Sequence, residues 1–387
     1  MGPSATCAQG KLRRRGHLPA ARIETSPATG DSAILAPSPF VPVFVMKKPN
    51  TATPRTRGGS TLQDVAVLAG VSPMTASRAL RGFDSVAPEL AERVRAAAEQ
   101  LQYVPDPAAR ALASARSRSV VVLVPSLANT VFIDLLEAVH EVLAPAGYQV
   151  LIGNTHYARD EEEKLLRNYL AHRPSGMLLT GFERSEAARR LIESSHVPCV
   201  YLMELTDAPG VHCVGLSQVA AGEAVTRHLL GGGRGRVGFV AAQLDARTMQ
   251  RAEGYRRAMQ AAGCYDPALE LLSPARSSVK LGGQLLTDYL RRHPDVEALF
   301  FCNDDLAQGA LLEALRTGVK VPQQLRVAGF NDLEGSECTV PRLTTVRTPR
   351  AEIGRRAATM LLRMMRGEAV QVAAVDVGFE LVCRESA

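Results

Sequence analysis

The 387-residue sequence has no long hydrophobic run, no paired cysteines and no cluster of histidines. No apolar stretch approaches the roughly 20 residues that a membrane-spanning helix needs. The seven cysteines are scattered, none lies in a Cys-x-x-Cys pair, and no group of His and Cys has the spacing of zinc ligands. We therefore expect reduced cysteines, no metal and a cytoplasmic protein.

Catalytic signatures are also missing. The eight histidines are dispersed, and no Ser, His and Asp follow the spacing of a nucleophilic site. The run Gly231-Gly-Gly-Arg-Gly-Arg236 precedes a predicted strand and lacks Gly-Lys-Ser/Thr, so it predicts a helix end and a turn rather than a phosphate loop. The sequence predicts no enzyme and no cofactor.

Positive charge is concentrated at the front of the chain. The formal net charge is +6, and residues 46–118 hold 11 Lys and Arg against 6 Asp and Glu. Residues 1–45 hold 5 against 2, which leaves residues 119–387 slightly acidic. This distribution indicates a polyanionic partner for the front of the chain only.

Residues 1–59 form a basic extension without helical or strand periodicity. Met46 is followed by Lys47 and Lys48 and is a plausible true start, so that the preceding residues belong to an over-called reading frame. The alternative is a translated, disordered basic tail that adds nonspecific DNA affinity.

Residues 60–104 predict a small three-helix domain. Thr61 can cap a helix over 62–69, which ends at Gly70, and Ser72 can cap a second helix over 73–80. Two short helices joined by Gly-Val-Ser indicate a helix-turn-helix, whose second helix can enter a DNA major groove. A third helix over 88–101 would close a miniature core.

The same residues resemble the lactose/galactose repressor family. The resemblance starts at residue 60, continues in register to about residue 380, and includes these motifs: Thr61-Leu-Gln-Asp-Val-Ala, Ala69-Gly-Val-Ser72, Thr75-Ala-Ser-Arg78-Ala-Leu80, Glu92-Arg-Val-Arg-Ala-Ala-Ala98 and Leu101-Gln-Tyr-Val-Pro105. A twenty-residue signature followed by a matching core is a specific signal.

The resemblance implies a set of DNA-binding residues on the first two helices. Pro73, Met74 and Arg78 would read base edges, and arginine is the usual bidentate reader of guanine. Small hydroxyls suit phosphate contacts. The remaining predicted contacts are Ser72, Thr75 and Ser77 to phosphates, and Thr61, Leu62 and Arg81 beside them.

Residues 105–118 are expected to form a hinge. In the family the matching stretch folds into a helix on operator DNA, and a leucine matching Leu112 wedges into the minor groove. Pro105 and Arg110 are the other predicted contacts of this segment. Asp106 stands where the family usually has Asn, which places a carboxylate near phosphates and puts the strength of this contact in doubt.

Strands and helices alternate through the core, residues 119–387. Val120–Val124 reads as a buried strand, and the alternation continues to a strand over 326–329. This pattern predicts parallel α/β sheets in two lobes, with ligand bound beyond the carboxyl ends of the strands. The expected fold class is therefore α/β: an all-α helix-turn-helix head and a two-lobed core like a periplasmic binding protein.

The loops after these strands supply the predicted effector-binding residues: Ser126, Phe132, Glu204, Arg247, Thr248, Arg251, Asn303, Asp304, Phe330 and Asn331. Arg beside Asn and Asp between aromatic walls suits a sugar or a sugar acid. Family resemblance assigns effector contacts to Arg251 and Asp304. Arg247 would pair with an acid group, or is a solvated loop charge; Asp304 would bind hydroxyls, or caps a helix starting at Asp305.

The subgroup that the core resembles is the gluconate-operon repressors, through Leu244-Asp-Ala-Arg-Thr248, Cys302-Asn-Asp-Asp-Leu306, Arg342-Leu-Thr-Thr-Val346 and Tyr201-Leu-Met-Glu204. This implies a homodimeric repressor that binds double-stranded operator DNA under the control of gluconate or 6-phosphogluconate. Open alternatives are a corepressor-driven or activating regulator, a sensor of 2-ketogluconate or another sugar, a solute-binding protein without DNA function, and a sugar-acid kinase.

Overall fold

The fold is taken from a computed structural model, which describes residues 59–104, 117–233 and 235–387. Eleven α-helices and twelve strands occur in these ranges. No helix in these ranges has the length and apolar character to cross a membrane.

The head consists of three helices, α1 (Leu62–Ala69), α2 (Pro73–Leu80) and α3 (Pro88–Gln100). Thr61 and Asp64 form a reciprocal capping box at the start of α1, and Gly70 ends this helix with φ 65°. The Ser72 hydroxyl accepts a hydrogen bond from the Thr75 N–H at 3.1 Å and caps α2. The capping residues predicted from the sequence are therefore confirmed.

Small side chains from all three helices fill the core of the head. Val65, Ala76 and Val94 are fully buried at its centre. Leu62 packs against this cluster and is half-buried. The buried residues of the head are alanine and valine, so its helices pack closely. The outer face of α2 is exposed to solvent.

The first lobe of the core is a six-stranded parallel sheet in the order β11-β5-β4-β3-β1-β2. Its strands are β1 (Ser119–Val124), β2 (Gln149–Asn154), β3 (Gly176–Thr180), β4 (Cys199–Met203), β5 (His212–Gly215) and β11 (Ala374–Asp376). Alternate residues of β1 pack on opposite faces, so both faces need cover. The helices are α4 (Ile133–Leu143), preceded by a 3-10 turn (Thr130–Phe132), α5 (Arg159–Ala171), α6 (Glu186–Ser195) and α11 (Arg350–Met365).

The second lobe is a four-stranded parallel sheet in the order β7-β6-β8-β9. Its strands are β6 (Val237–Ala242), β7 (Glu270–Ser273), β8 (Ala298–Phe301) and β9 (Arg326–Ala328). The helices pack in two pairs: α7 (Gln218–Leu230) with α8 (Ala246–Ala261), and α9 (Val279–Arg292) with α10 (Asp304–Thr317). Two 3-10 turns, Pro267–Leu269 and Glu334–Glu337, lie in its connections.

The chain passes between the lobes three times. It leaves the first lobe after β5, returns to it through α11 and β11, and ends beside the second lobe. Two short strands, β10 (Thr345–Arg347) and β12 (Glu380–Val382), precede and follow the return to the first lobe and pair with each other antiparallel. The predicted α/β fold class, with parallel sheets in two lobes, is confirmed.

Candidate functional site

The outer face of α2 presents the residues predicted to read DNA. Met74 is 65% exposed, and Pro73 and Arg78 are also exposed. The Arg78 side chain has no hydrogen-bond or ion-pair partner among residues 59–104, 117–233 and 235–387. An unpaired guanidinium beside an exposed apolar side chain is suited to contact base edges in a groove.

The other head residues are partly committed to internal contacts. The Ser72 hydroxyl also lies 2.9 Å from the Thr75 hydroxyl. The Arg81 Nε donates to the Ser77 carbonyl at 3.0 Å, and its guanidinium lies over the Phe83 ring. These contacts fix the end of α2 and leave phosphate binding by these residues a prediction. Pro105, Arg110 and Leu112, predicted for the hinge, lie outside the described residues.

A cavity of about 580 Å³ lies where strands of both lobes end. The first lobe contributes residues that follow β1 and β2 and the last residue of β4, Met203, and the second contributes residues that follow all four of its strands. This is the location expected for ligands of parallel α/β sheets. Of the predicted effector-binding residues, these line the cavity: Ser126, Phe132, Arg247, Thr248, Arg251, Asn303 and Asn331.

Arg251 is a buried cation that forms no ion pair with a carboxylate in the part of the chain that the structure describes. Its Nε donates to Gln218 Oε1 at 2.9 Å, and Nη1 donates to the Cys302 carbonyl at 2.6 Å and to Asn303 Oδ1 at 2.8 Å. Its guanidinium stacks on Phe330, 3.7 Å from the ring centroid. Burial lowers the pKa of Arg251 to about 10, so an added anion would stabilise its charge.

Arg247 lies one helical turn earlier on α8, between two carboxylates. Its Nη2 lies 2.7 Å from Asp245 Oδ2, and its Nη1 lies 3.8 Å from Glu204 Oε1. Burial works against the charged form of Arg247, but these two carboxylates outweigh it and raise its pKa above the ordinary value. Arg247 is therefore an ion-paired residue of the cavity wall, and not a solvated loop charge.

The prediction that Asp304 binds effector hydroxyls is wrong in its geometry. Asp304 is fully buried and does not line the cavity. Its carboxylate accepts hydrogen bonds from the Thr345 hydroxyl at 2.6 Å, the Leu333 N–H at 2.8 Å and the Ser336 hydroxyl at 2.9 Å. These bonds hold the segment after β9 in place, so Asp304 has a structural role. The capping alternative also fails, because α10 begins at Asp304 and its N-cap is Asn303.

Two other residues predicted to bind effector do not line the cavity. Phe330 is fully buried under Arg251, and Glu204 reaches Arg247 and Gln250 instead of the open space. Arg247 and Thr248 were predicted to lie in a loop. They belong instead to the first turn of α8, because this helix starts at Ala246.

The structure adds cavity residues that sequence reasoning missed, including Tyr157, Asp245, Arg276, Asp305 and Gln308. Asp305 accepts from the Ser277 hydroxyl at 2.7 Å, and burial raises its pKa. Tyr157 follows β2 with a left-handed φ of 59°, and its placement after a strand end was the signal that could have found it. No cluster of potential metal ligands occurs within the described ranges.

Two regions of the chain match known families. Residues 61–106 match the bacterial regulatory proteins of the lacI family, and residues 226–387 match the periplasmic binding protein-like domain. The HTH-type transcriptional regulator GntR of Pseudomonas aeruginosa is 63% identical over 87% of this chain and 98% of its own length. The chain belongs to the lacI family. It is a DNA-binding transcriptional regulator, as the resemblance implied, and not an enzyme.

Further relatives of this lacI-family regulator are similar over most of their length. The HTH-type transcriptional regulator IdnR of Escherichia coli is 36% identical, over 83% of this chain and 96% of its own. The crystal structure of transcription regulator GntR from Chromobacterium violaceum is 50% identical, with a TM-score of 0.68 over 69% of this chain and 98% of that one. A lacI-family regulator from Silicibacter pomeroyi is 34% identical, with a TM-score of 0.79 over 84% of this chain and 99% of that one.

Proposed function

We propose that this regulator is a cytoplasmic, homodimeric repressor of sugar-acid utilisation genes, and that gluconate or 6-phosphogluconate controls its affinity for operator DNA. Relatives named GntR and IdnR support this subgroup. The observation that carries the effector assignment is the pair of buried guanidiniums, Arg247 and Arg251, on the wall of a polar cavity. Guanidinium forks bind carboxylate and phosphate groups, while Asn and Asp side chains pair with hydroxyls.

Of the two arginines, Arg251 has the stronger need of an anion. Arg247 already contacts Asp245 and Glu204, whereas the hydrogen-bond acceptors of Arg251 among the described residues are neutral. We place the acid group of the effector against both, with Arg251 as its main anchor. Its hydroxyls would face Asn303, Asp305 and other polar groups of the second lobe.

A polar contact joins the two lobes beside the cavity. Arg350 at the start of α11 donates to Asp134 of α4 and to the carbonyl of Asn331, which follows β9. Asn331 itself lines the cavity. An effector that binds one arrangement of the lobes more tightly shifts the population toward it, and we propose that this arrangement releases DNA.

The test is operator affinity with and without effector. An operator would be selected from random duplexes, and its affinity measured with gluconate, 6-phosphogluconate and 2-ketogluconate across several salt concentrations. We expect a linear fall of log affinity with log salt concentration, and a roughly 5- to 150-fold loss of affinity with gluconate or 6-phosphogluconate. No change with either ligand contradicts the effector assignment. Failure to bind any duplex favours a solute-binding protein.

A further inference from the structure

Three carboxylates, of which only that of Glu204 is buried, lie in or behind the cavity wall near two buried guanidiniums, and the exposed Arg276 also lines the cavity. Glu204, Asp245 and Asp305 stand against Arg247 and Arg251, and none of the five is exposed. An anionic effector adds a fourth negative charge to this group. In a site with little water, each added negative charge raises the free energy of keeping the neighbouring carboxylates ionised. One of them is therefore expected to bind a proton.

Of the two carboxylates at Arg247, Glu204 is held more weakly in its ionised form than Asp245. Its Oε1 lies 3.8 Å from Arg247 Nη1, and its Oε2 accepts one hydrogen bond, from Gln250 at 3.2 Å. Asp245, by contrast, lies 2.7 Å from the same guanidinium and caps α8 through the Thr248 N–H at 2.9 Å. A ligand carboxylate at Arg247 therefore competes with Glu204 before it competes with Asp245.

The surroundings of Glu204 shield it from water and bring two guanidiniums and one carboxylate near it. The charged groups that act on it are Arg247 and Asp245 at the start of α8, and Arg184 in the loop after β3. A Cβ on Gly181 would lie only 2.7 Å from Glu204 Oε1, so backbone closes this side. Desolvation raises the pKa of Glu204, and Arg247 only partly offsets it.

We propose that binding of a sugar acid at Arg247 and Arg251 is coupled to uptake of one proton from solvent by the Glu204 carboxylate, so that the regulator binds this effector more tightly at lower pH. The proton adds to an oxygen of Glu204 as the ligand carboxylate takes over its contact with Arg247. The same step weakens a contact between the lobes, because Glu204 follows β4 of the first lobe and Arg247 belongs to the second. This inference rests on the proposed function.

The sign of the pH dependence follows from the two protonation states. Below the pKa of Glu204 in the free protein, the group is protonated with and without ligand, and the affinity is constant. Between this pKa and the higher pKa of the complex, Kd rises with pH by up to tenfold per unit. The window opens above pH 4.5, the ordinary Glu value, because burial raises the pKa. A sugar acid with a pKa of about 4 stays ionised throughout.

Gluconate is the probe, since the phosphate of 6-phosphogluconate titrates near pH 6 itself. Calorimetric titration of the full chain at pH 6 to 8, in two buffers of different ionisation enthalpy, measures Kd and the protons taken up. We expect uptake approaching one proton per site and a Kd that rises with pH. Gluconate binding without proton uptake overturns this inference and leaves the proposed function standing. Absence of gluconate binding at every pH overturns it as well, and response to 6-phosphogluconate then tests the proposed function separately.

Two matched variants identify the group that binds the proton. Glu204→Gln carries the neutral form permanently, so it should abolish proton uptake and bind gluconate about 100-fold more tightly than the natural chain at pH 8, which is the rise in Kd that uptake of one proton produces over two pH units. Asp305→Asn removes the other cavity carboxylate whose charge is disfavoured by burial, and it should retain the uptake. Uptake that persists in Glu204→Gln and disappears in Asp305→Asn assigns the proton to Asp305 and contradicts the inference.

Discussion

At the scale of single residues, the environment of each arginine decides its role. Arg247 and Arg251 are four residues apart on α8, yet two carboxylates form ion pairs with the first, and none within residues 59–104, 117–233 and 235–387 forms one with the second. Burial of an uncompensated guanidinium is unfavourable unless hydrogen bonds and a stacked ring support it, as Gln218 and Phe330 do here. Arg251 is thus preorganised for an anion.

Arg251→Lys tests this role, because lysine keeps the charge and loses the planar fork. A hydrogen bond to a charged group contributes about 1.5–3 kcal/mol, so we expect gluconate affinity to fall about 10- to 150-fold. The measurement is calorimetric titration, with the melting temperature checked for folding. Arg257→Lys, on the exposed side of the same helix and paired with Glu253, is the control and should bind normally. Equal affinities in both variants would contradict the role of Arg251.

In the run Cys302-Asn-Asp-Asp, the residue types alone do not show which carboxylate lines the cavity. Asn303, Asp304 and Asp305 are consecutive, and which of them faces the cavity depends on where α10 begins. Asp304 points to the segment after β9 because Thr345, Leu333 and Ser336 return to it from up to 41 residues away. Such long-range partners have no local signature in the sequence.

At the scale of elements, the head was predicted accurately because its helices carry their boundaries in the sequence. Thr61, Gly70 and Ser72 are start and stop signals with a local physical cause. Short strands without such signals were missed, namely β5, β7, β10, β11 and β12. Helix α11 was also missed, although Ile353, Ala357 and Leu361 lie on one face at four-residue steps and are fully buried.

Helix α2 is the element that should carry sequence readout. Arg78→Ala is expected to lower operator affinity about 5- to 150-fold, since a bidentate contact to a base contributes about 1–3 kcal/mol, and to relax the preference at one base pair. Binding to selected operators with that base pair varied measures both effects. Arg95→Ala on the exposed face of α3 removes the same charge from the head and serves as the control. Comparable losses in the two variants would indicate a general charge effect instead of readout.

At the scale of the whole molecule, one chain combines a DNA-binding head with a ligand cavity between two lobes. The lobes are predictable from the alternation of strands and helices, and the cavity from the rule that ligands lie at the carboxyl ends of strands. The contacts that join the lobes, such as Glu204 with Gln250 and Arg350 with the Asn331 carbonyl, were not predictable from the pattern. They depend on how the two sheets face each other.

The central claim is that head and cavity are energetically coupled, and linkage makes this coupling reciprocal. The most direct measurement is the affinity of gluconate for the free protein and for its saturated operator complex, by calorimetry in one buffer. We predict that operator weakens gluconate binding by the same factor by which gluconate weakens operator binding. Equal gluconate affinities for the free and DNA-bound protein would contradict the account.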